Sequence, residues 1–302
     1  MKQPKNSLRS RIWQNRDMYL MLAPFAILFF IFTVFAVVAA IALSFTNFNM
    51  VELPRFVGWT NYVRILLDDD VFLIAARNTL IFAIITGPIS YFLCLFFAWL
   101  INELPKVLRT LMTFIFYVPS ISGSVYVVWS YIFSGDAYGL VNSTLMQFGI
   151  INEPVLWLSD TRYMLPVIII VQLWASLGTS FLAFIAGLQG VDSSLYEAGA
   201  IDGIRNRFQE LRCITLPSMG PQLMFAAVMQ IGQAFAVGGI CTALAGFPST
   251  DYAAHTIVNH IQDHGTVRFE MGYACALATI LFITMVLINN LIRRVLTSKT
   301  NL

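Results

Sequence analysis

The sequence predicts an all-α polytopic membrane protein with six transmembrane helices, and two observations carry that reading. Hydrophobic residues make up 58% of the 302-residue chain, charged residues only 11%, and the mean hydropathy is +0.74. A soluble domain carries about 25% charged residues. Too few polar side chains remain here to cover a water-exposed surface, so lipid must be part of the solvent. The second observation is six apolar stretches long enough to cross a hydrocarbon core, which takes about 20 helical residues. They fall at 18–45, 79–102, 110–134, 163–191, 218–245 and 271–292, and none contains Asp, Glu, Lys or Arg.

The first stretch follows a basic start of Lys2, Lys5, Arg9, Arg11 and Arg16, as a signal peptide would. Its apolar run exceeds the roughly 7–15 residues of a signal core, and five more stretches follow, so it reads as an uncleaved membrane helix. Orientation comes from the charges between stretches. With the N-terminus inside, cytoplasmic segments hold thirteen Lys and Arg residues, namely those five with Lys106, Arg109, Arg205, Arg207, Arg212, Arg293, Arg294 and Lys299. Outer loops hold five, Arg55, Arg64, Arg77, Arg162 and Arg268. The excess of cations places both termini in the cytoplasm. Acids such as Asp68, Asp69, Asp70, Asp136, Glu153 and Asp263 collect on the outer side.

Three stretches contain helix breakers: Gly87-Pro88 in the second, Pro119 and Gly123 in the third, Gly238-Gly239 in the fifth. Breaks at membrane depth are tolerated where neighbouring helices or a water-lined cavity satisfy the freed backbone groups. A pathway between helices and ordinary packing kinks are both open readings. Cys94, Cys213, Cys241 and Cys275 form no C-x-x-C pair and read as buried small hydrophobes. With no internal repeat or low-complexity tract, residues 1–302 read as a single membrane domain.

The most informative segment is the cytoplasmic loop 192–217 between the fourth and fifth stretches. Ser194 and Glu197 have the spacing of a capping box, which starts a helix near Leu195. Gly203 suits the left-handed residue that ends it. A second short helix runs from about Asn206 to Cys213 and leads to Pro217 at the entrance of the fifth stretch. Ala198, Gly199 and Ala200 are small enough to let another protein approach the backbone closely.

Glu197-Ala198-Gly199-Ala200-Ile201-Asp202-Gly203, followed by Ile214-Thr215-Leu216-Pro217, resembles the E-A-A…G…I-x-L-P coupling loop of binding-protein-dependent ABC importers. The carbohydrate branch is further resembled by Gly187-Leu188-Gln189, Leu195-Tyr196, Phe56-Val57-Gly58 with Asn61-Tyr62, Arg77-Asn78-Thr79 and Trp157-Leu158-Ser159-Asp160. The sequence departs from the family pattern in three places. The second alanine is Gly199, the stretch from Gly203 to Ile214 is one residue longer than usual, and Ala245-Gly246-Phe247-Pro248 stands where Gly-Gly-Pro is usual.

The resemblance implies a permease subunit whose loop docks on a cytoplasmic ATPase. It further implies a bacterial inner-membrane location, a second homologous permease forming a heterodimer, two ATPase subunits and an extracellular or periplasmic sugar-binding protein. No G-x-x-x-x-G-K-[ST] motif occurs, so ATP and Mg are expected on the ATPase partners and no cofactor or catalytic residue on this chain. Membrane lipid is an expected partner and nucleic acid is not.

A sugar ring has apolar faces and hydroxyl edges, so its path favours aromatics, amides and hydroxyls. Tyr117, Ser120, Ser122, Gln172, Trp174, Gln230 and Gln233 fit, with Gln230 and Gln233 three apart on one helix face. Interhelical hydrogen bonding is the alternative use of the same side chains. His260 and His264 lie four apart with His255 nearby, but a metal would need a third convergent ligand, so they read as solvated loop residues. Ion-coupled transporters usually carry ionisable residues inside the membrane, and these stretches have none. A membrane enzyme would need catalytic acids, histidines or cysteines around a common site. A phosphate-ester path would want a basic residue, so the sequence favours a neutral oligosaccharide over glycerol phosphate.

Overall fold

The computed structural model describes residues 15–123 and 125–300, so Lys2, Lys5, Arg9 and Arg11 lie outside the described residues. Helices account for all six apolar stretches. They are α1 (Arg16–Leu43), α3 (Asp70–Asn102), α4 (Lys106–Ile121) with α5 (Val125–Ile132), α7 (Thr161–Ala175) with α8 (Thr179–Gln189), α12 (Gly220–Phe235) with α13 (Gly239–Ala245), and α15 (Met271–Thr300). Short helices α2 (Thr60–Leu67), α6 (Leu140–Gln147) and α14 (Ile257–Gln262) cap one end of the bundle. Helices α9 (Ser193–Ile201), α10 (Arg207–Glu210) and α11 (Leu216–Ser218) form a protrusion at the other.

Helix α3 is the spine. Its residues enter all three packed cores: Phe72 and Ala75 with Phe235 and Leu277, Phe82 with Met164 and Val237, and Cys94 and Ala98 with Phe181 and Met219. Against the expectation of a break, α3 passes through Gly87-Pro88 without interruption. Gly87 faces α12 there, where a Cβ would meet that of Ala234 at 3.7 Å, an ordinary packing contact. The helix also starts nine residues before the expected 79, because the Asp69 carboxylate accepts the Phe72 N–H at 2.9 Å and caps it.

In lipid, helices gain little from leaving water, so packing and interhelical hydrogen bonds must hold them. Ser176 Oγ donates to Ser90 Oγ at 2.7 Å, and Ser180 Oγ donates to the Ala226 carbonyl at 3.3 Å. The segments at the end opposite the protrusion are clasped by asparagines. Asn61 Nδ2 donates to the carbonyls of Ser44 and Thr46, both at 2.8 Å. Asn78 Nδ2 reaches the carbonyls of Tyr252, Ala253 and His255 at 2.9–3.1 Å, while Trp157 Nε1 donates to Asn142 Oδ1 at 2.8 Å.

Helix α1 differs from the rest. None of its residues is buried, although it is the most apolar span of the chain. Its last turns, Ala36–Leu43, lie against α15, and nothing in the described chain covers the rest.

Candidate functional site

The protrusion is built from local signals. Asp192, rather than Ser194, caps α9, its carboxylate accepting the Ser194 N–H at 2.9 Å. That bond holds the Asp192 carboxyl below its ordinary range. The cap lies two residues before the expected serine because a β-region residue carrying a carboxylate satisfies the free N–H groups of the first turn. At the other end Gly203 adopts φ +91°, with its N–H on the Ala200 carbonyl and the Ile204 N–H on the Gly199 carbonyl. This Schellman arrangement closes the helix.

The one-residue excess before Ile214 has a structural outlet. From the Asn206 cap the chain runs through α10, a π turn over Leu211–Thr215, and α11. A π turn absorbs one extra residue within a continuous helix. The second helix therefore does not stop near Cys213, and Pro217 lies within α11 rather than at its end.

Of the three small residues expected on the surface, Gly199 turns inward. A Cβ there would come within 2.6 Å of Ile214 Cδ1 and 3.1 Å of Ile204 Cδ1, which explains glycine where the family pattern has alanine. Glu197, Ala198, Ala200, Ile201, Asp202 and Gly203 are exposed, and Ile201 is 87% exposed with no cover among the described residues. The protrusion is fastened by a hydrogen bond of 2.9 Å between Tyr196 Oη and Thr215 Oγ1. Arg207 links it to the spine, pairing with Glu210 at 2.8 Å and with Glu103, just past the end of α3, at 3.3 Å. The Glu210 hydrogen bond, with both negative charges, raises the Arg207 pKa. The sequence carries no local signal for the Glu103–Arg207 pair.

A second site lies between the spans. Three of them are interrupted, at Ser122–Gly123, at Ser176–Gly178 and at Ala236–Gly238, and residues from all three interruptions border one cavity of about 360 Å³. Ser120, Ser122, Gln172 and Gln233 line it, joined by Tyr126 and Ser176, which the sequence did not single out. No charged residue borders it. No hydrogen bond within the described chain engages the carboxamides of Gln172 or Gln233. Interrupted membrane helices are tolerated where they line a cavity, because freed backbone groups can meet water or a ligand there.

The other three candidates lie elsewhere. Gln230 is buried, with Nε2 3.3 Å from Cys94 Sγ and 3.4 Å from the Ser176 carbonyl, so it bonds helices together. Three residues along a helix turn the side chain by about 60° from its neighbour, enough to send Gln230 into the packing and Gln233 into the cavity. Trp174 packs edge-on against Trp129 at 5.3 Å. Tyr117 is half-buried on α4 and does not border the cavity. A larger cleft of about 510 Å³ between α3, α12 and α15 is walled by Ile84, Pro88, Ile231, Phe235 and Ile288. Its walls suit hydrocarbon.

The histidines overturn the solvated reading. His255, His260 and His264 are each at most 2% exposed. His260 Nε2 lies 2.8 Å from Asp69 Oδ2, His264 Nδ1 2.7 Å from Glu270, and His255 Nε2 3.3 Å from His260 Nδ1. Tyr273 donates to Asp69, and Arg64 pairs with Glu270 at 3.1 Å. Burial and the neighbouring His260 push His255 down to about 4. Burial alone would raise Asp69, yet hydrogen bonds from Tyr273, His260 and the Phe72 N–H hold it at about 2.

Residues 90–301 match the family described as the inner membrane component of binding-protein-dependent transport systems. The chain belongs to this family. A probable ABC transporter permease protein, YesP of Bacillus subtilis (strain 168), is 31% identical over 89% of this chain and 87% of its own. The lactose transport system permease protein LacF of Rhizobium radiobacter is 33% identical over 70% of each. In solved structures the fold is matched by a chain of a bacterial alginate ABC transporter in complex with an alginate pentasaccharide-bound periplasmic protein. That match has a TM-score of 0.79 at 22% identity and covers 97% of this chain and 98% of that one. This transport component is thus a multi-pass membrane protein, and its family is one of transport subunits.

Proposed function

We propose that this chain is one permease half of an ATP-driven importer of neutral oligosaccharides. The observation that carries the reading is the neutral cavity where three interrupted spans meet, lined by two carboxamides with no intramolecular hydrogen bond. Such groups exchange hydrogen bonds with sugar hydroxyls, and Tyr126 offers an aromatic face to the ring. The lactose permease LacF among the relatives and the alginate transporter among the structural neighbours point to carbohydrate. A cavity free of cations favours an uncharged sugar over an acidic one or a phosphate ester.

The exposed face of α9 is the surface that docks a separate ATPase, where ATP and Mg bind. Glu197, Ala198, Ala200, Asp202 and Gly203 supply the contact, while Tyr196, Gly199, Ile214, Leu216 and Pro217 hold its shape. Closure of two ATPase subunits moves the protrusion, and Arg207 passes the motion through Glu103 to α3. The largely uncovered apolar helix α1 calls for lipid and a second permease, which completes a heterodimer. A periplasmic or extracellular sugar-binding protein delivers substrate to the outer face, and both termini lie in the cytoplasm.

The reading is tested with the assembled importer in proteoliposomes. Gln172→Ala and Gln233→Ala each remove neutral hydrogen bonds worth about 0.5–1.5 kcal/mol. Sugar-stimulated ATP hydrolysis should fall several-fold while basal hydrolysis holds. Equal loss of both rates, or purification of a stable complex lacking any ATPase, would count against it.

A further inference from the structure

We propose that Asp69, His260 and His264 form a binding site for a divalent transition-metal ion of the Zn²⁺ class on the outer face of the chain. One ligand atom from each residue lies within 4.8 Å of the other two. The two imidazoles are at most 2% exposed, and Asp69 has only 12% of its side chain exposed. Two imidazoles and one carboxylate are a donor set that borderline divalent metals favour over Mg²⁺ or Ca²⁺, which take oxygen.

The outer shell is already arranged. A metal-bound histidine usually donates its other ring N–H to a carboxylate or comparable acceptor, which fixes its tautomer and orientation. His264 donates Nδ1–H to Glu270 at 2.7 Å, which leaves Nε2 as the ring nitrogen free to take a metal. Glu270 is itself held by Arg64 at 3.1 Å. His260 faces Asp69 with Nε2, and its Nδ1 lies 3.3 Å from His255 Nε2. Binding requires His260 as its Nδ1–H tautomer, with that N–H donated to His255. Tyr273 donates to Asp69 Oδ2, the oxygen that His260 faces, while the Phe72 N–H holds Oδ1, so both carboxylate oxygens are fixed in place.

The distances fit a small adjustment. Metal–ligand bonds of about 2.0–2.2 Å place neighbouring tetrahedral ligands roughly 3.3–3.5 Å apart. The His260–Asp69 contact of 2.8 Å must open by about half an ångström, and the other separations, none above 4.8 Å, must settle into the same range. Water would complete four-coordination. Because Asp69 caps α3 while His260 and His264 ride on α14 and the π turn after it, the ion would pin the 255–267 segment to the head of the spine.

The experiment uses the full chain, purified through a tag without histidine together with whatever subunits accompany it. After chelation the sample is dialysed against micromolar Zn²⁺ or Co²⁺. The expected result is stoichiometric Zn²⁺ by elemental analysis and the visible d–d absorption of four-coordinate Co²⁺. His264→Gln should abolish both signals, and Glu270→Gln should weaken Zn²⁺ binding by roughly 10–100-fold. Unaltered chain that holds no more metal than a His260→Gln/His264→Gln double variant would overturn the proposal. If neither variant folds, the unaltered chain still decides, because failure to bind micromolar Zn²⁺ or to show four-coordinate Co²⁺ sinks it.

Discussion

The protrusion and the histidine cluster are both polar and both assembled from short helices, but they are held together in opposite ways. In the protrusion, the Asp192 and Asn206 caps and the bonds closing α9 join residues no more than five apart. In the histidine cluster the corresponding bonds join Asp69 to His260, Arg64 to Glu270 and Asn78 to His255, separations of 191, 206 and 177 residues. The first region keeps its shape and presents a free face. The second has no free face, and its polar groups are spent on fixing distant segments to the end of α3. A mutation should therefore stay local in one and spread in the other.

The largest effect is expected for Asn78→Ala. It leaves three buried or part-buried carbonyls, of Tyr252, Ala253 and His255, without their shared donor. An orphaned buried group costs about 1–3 kcal/mol, so the loss should approach about 3 kcal/mol and appear as a lower thermal midpoint of the purified protein. Proteolysis at 192–217 should be unchanged. A midpoint within a degree of the unaltered protein would show that the histidine cluster is not a long-range clasp.

Next comes Gly203→Val. At φ +91° a β-branched residue is strained by about 1–2 kcal/mol. The strain should fray α9 alone, with faster cleavage near 203 and reduced uptake, while the global midpoint moves little. A large drop in the midpoint would erase the contrast between the regions.

Much of the protrusion was legible because its signals are short-range. Gly203 announced its helix end and Asn206 the next start, while the cap at Asp192 in place of Ser194, the inward turn of Gly199 and the run of the second helix past Cys213 were not foreseen. The cavity was legible in part. Pro119, Gly123 and Gly238 marked two of its three interruptions, while the third, at Ser176–Gly178, carried no proline and went unmarked. Gln230 and Gln233 are alike in sequence, and only the position of α3 decides which one packs. The histidine cluster was illegible. The four-residue spacing from His260 to His264 says nothing of Asp69, which is brought there by tertiary folding.

A smaller effect is expected for Gly199→Ala. The added methyl meets only the ends of two isoleucine side chains, Ile214 at 2.6 Å and Ile204 at 3.1 Å, which can shift at a cost of about 1 kcal/mol. Ile214→Val removes the Cδ1 atom in the way, so the double variant should recover much of the loss in resistance to cleavage at 192–217. Additive damage in the double variant would mean that the two helices are not packed through this contact.

The smallest effect on stability belongs to the one link that leaves the protrusion for the spine. Glu103 and Arg207 are 41% and 66% exposed at their side chains, and exposed pairs contribute at most about 1 kcal/mol, less in salt. A double-mutant cycle of Glu103→Gln with Arg207→Gln should give a coupling below about 0.5 kcal/mol in thermal unfolding. Arg207 also bonds Glu210, so Arg207→Gln alone should cost slightly more than Glu103→Gln. If the pair transmits motion to α3, Glu103→Gln should nonetheless lower uptake per ATP hydrolysed. Hydrolysis and uptake falling together, or neither changing, would leave the packing of Thr215 and Met219 as the route by which the protrusion reaches the spans. A weak, solvent-screened tie is what a part that must repeatedly shift against the spine can tolerate, whereas the buried bonds of the histidine cluster would resist each cycle.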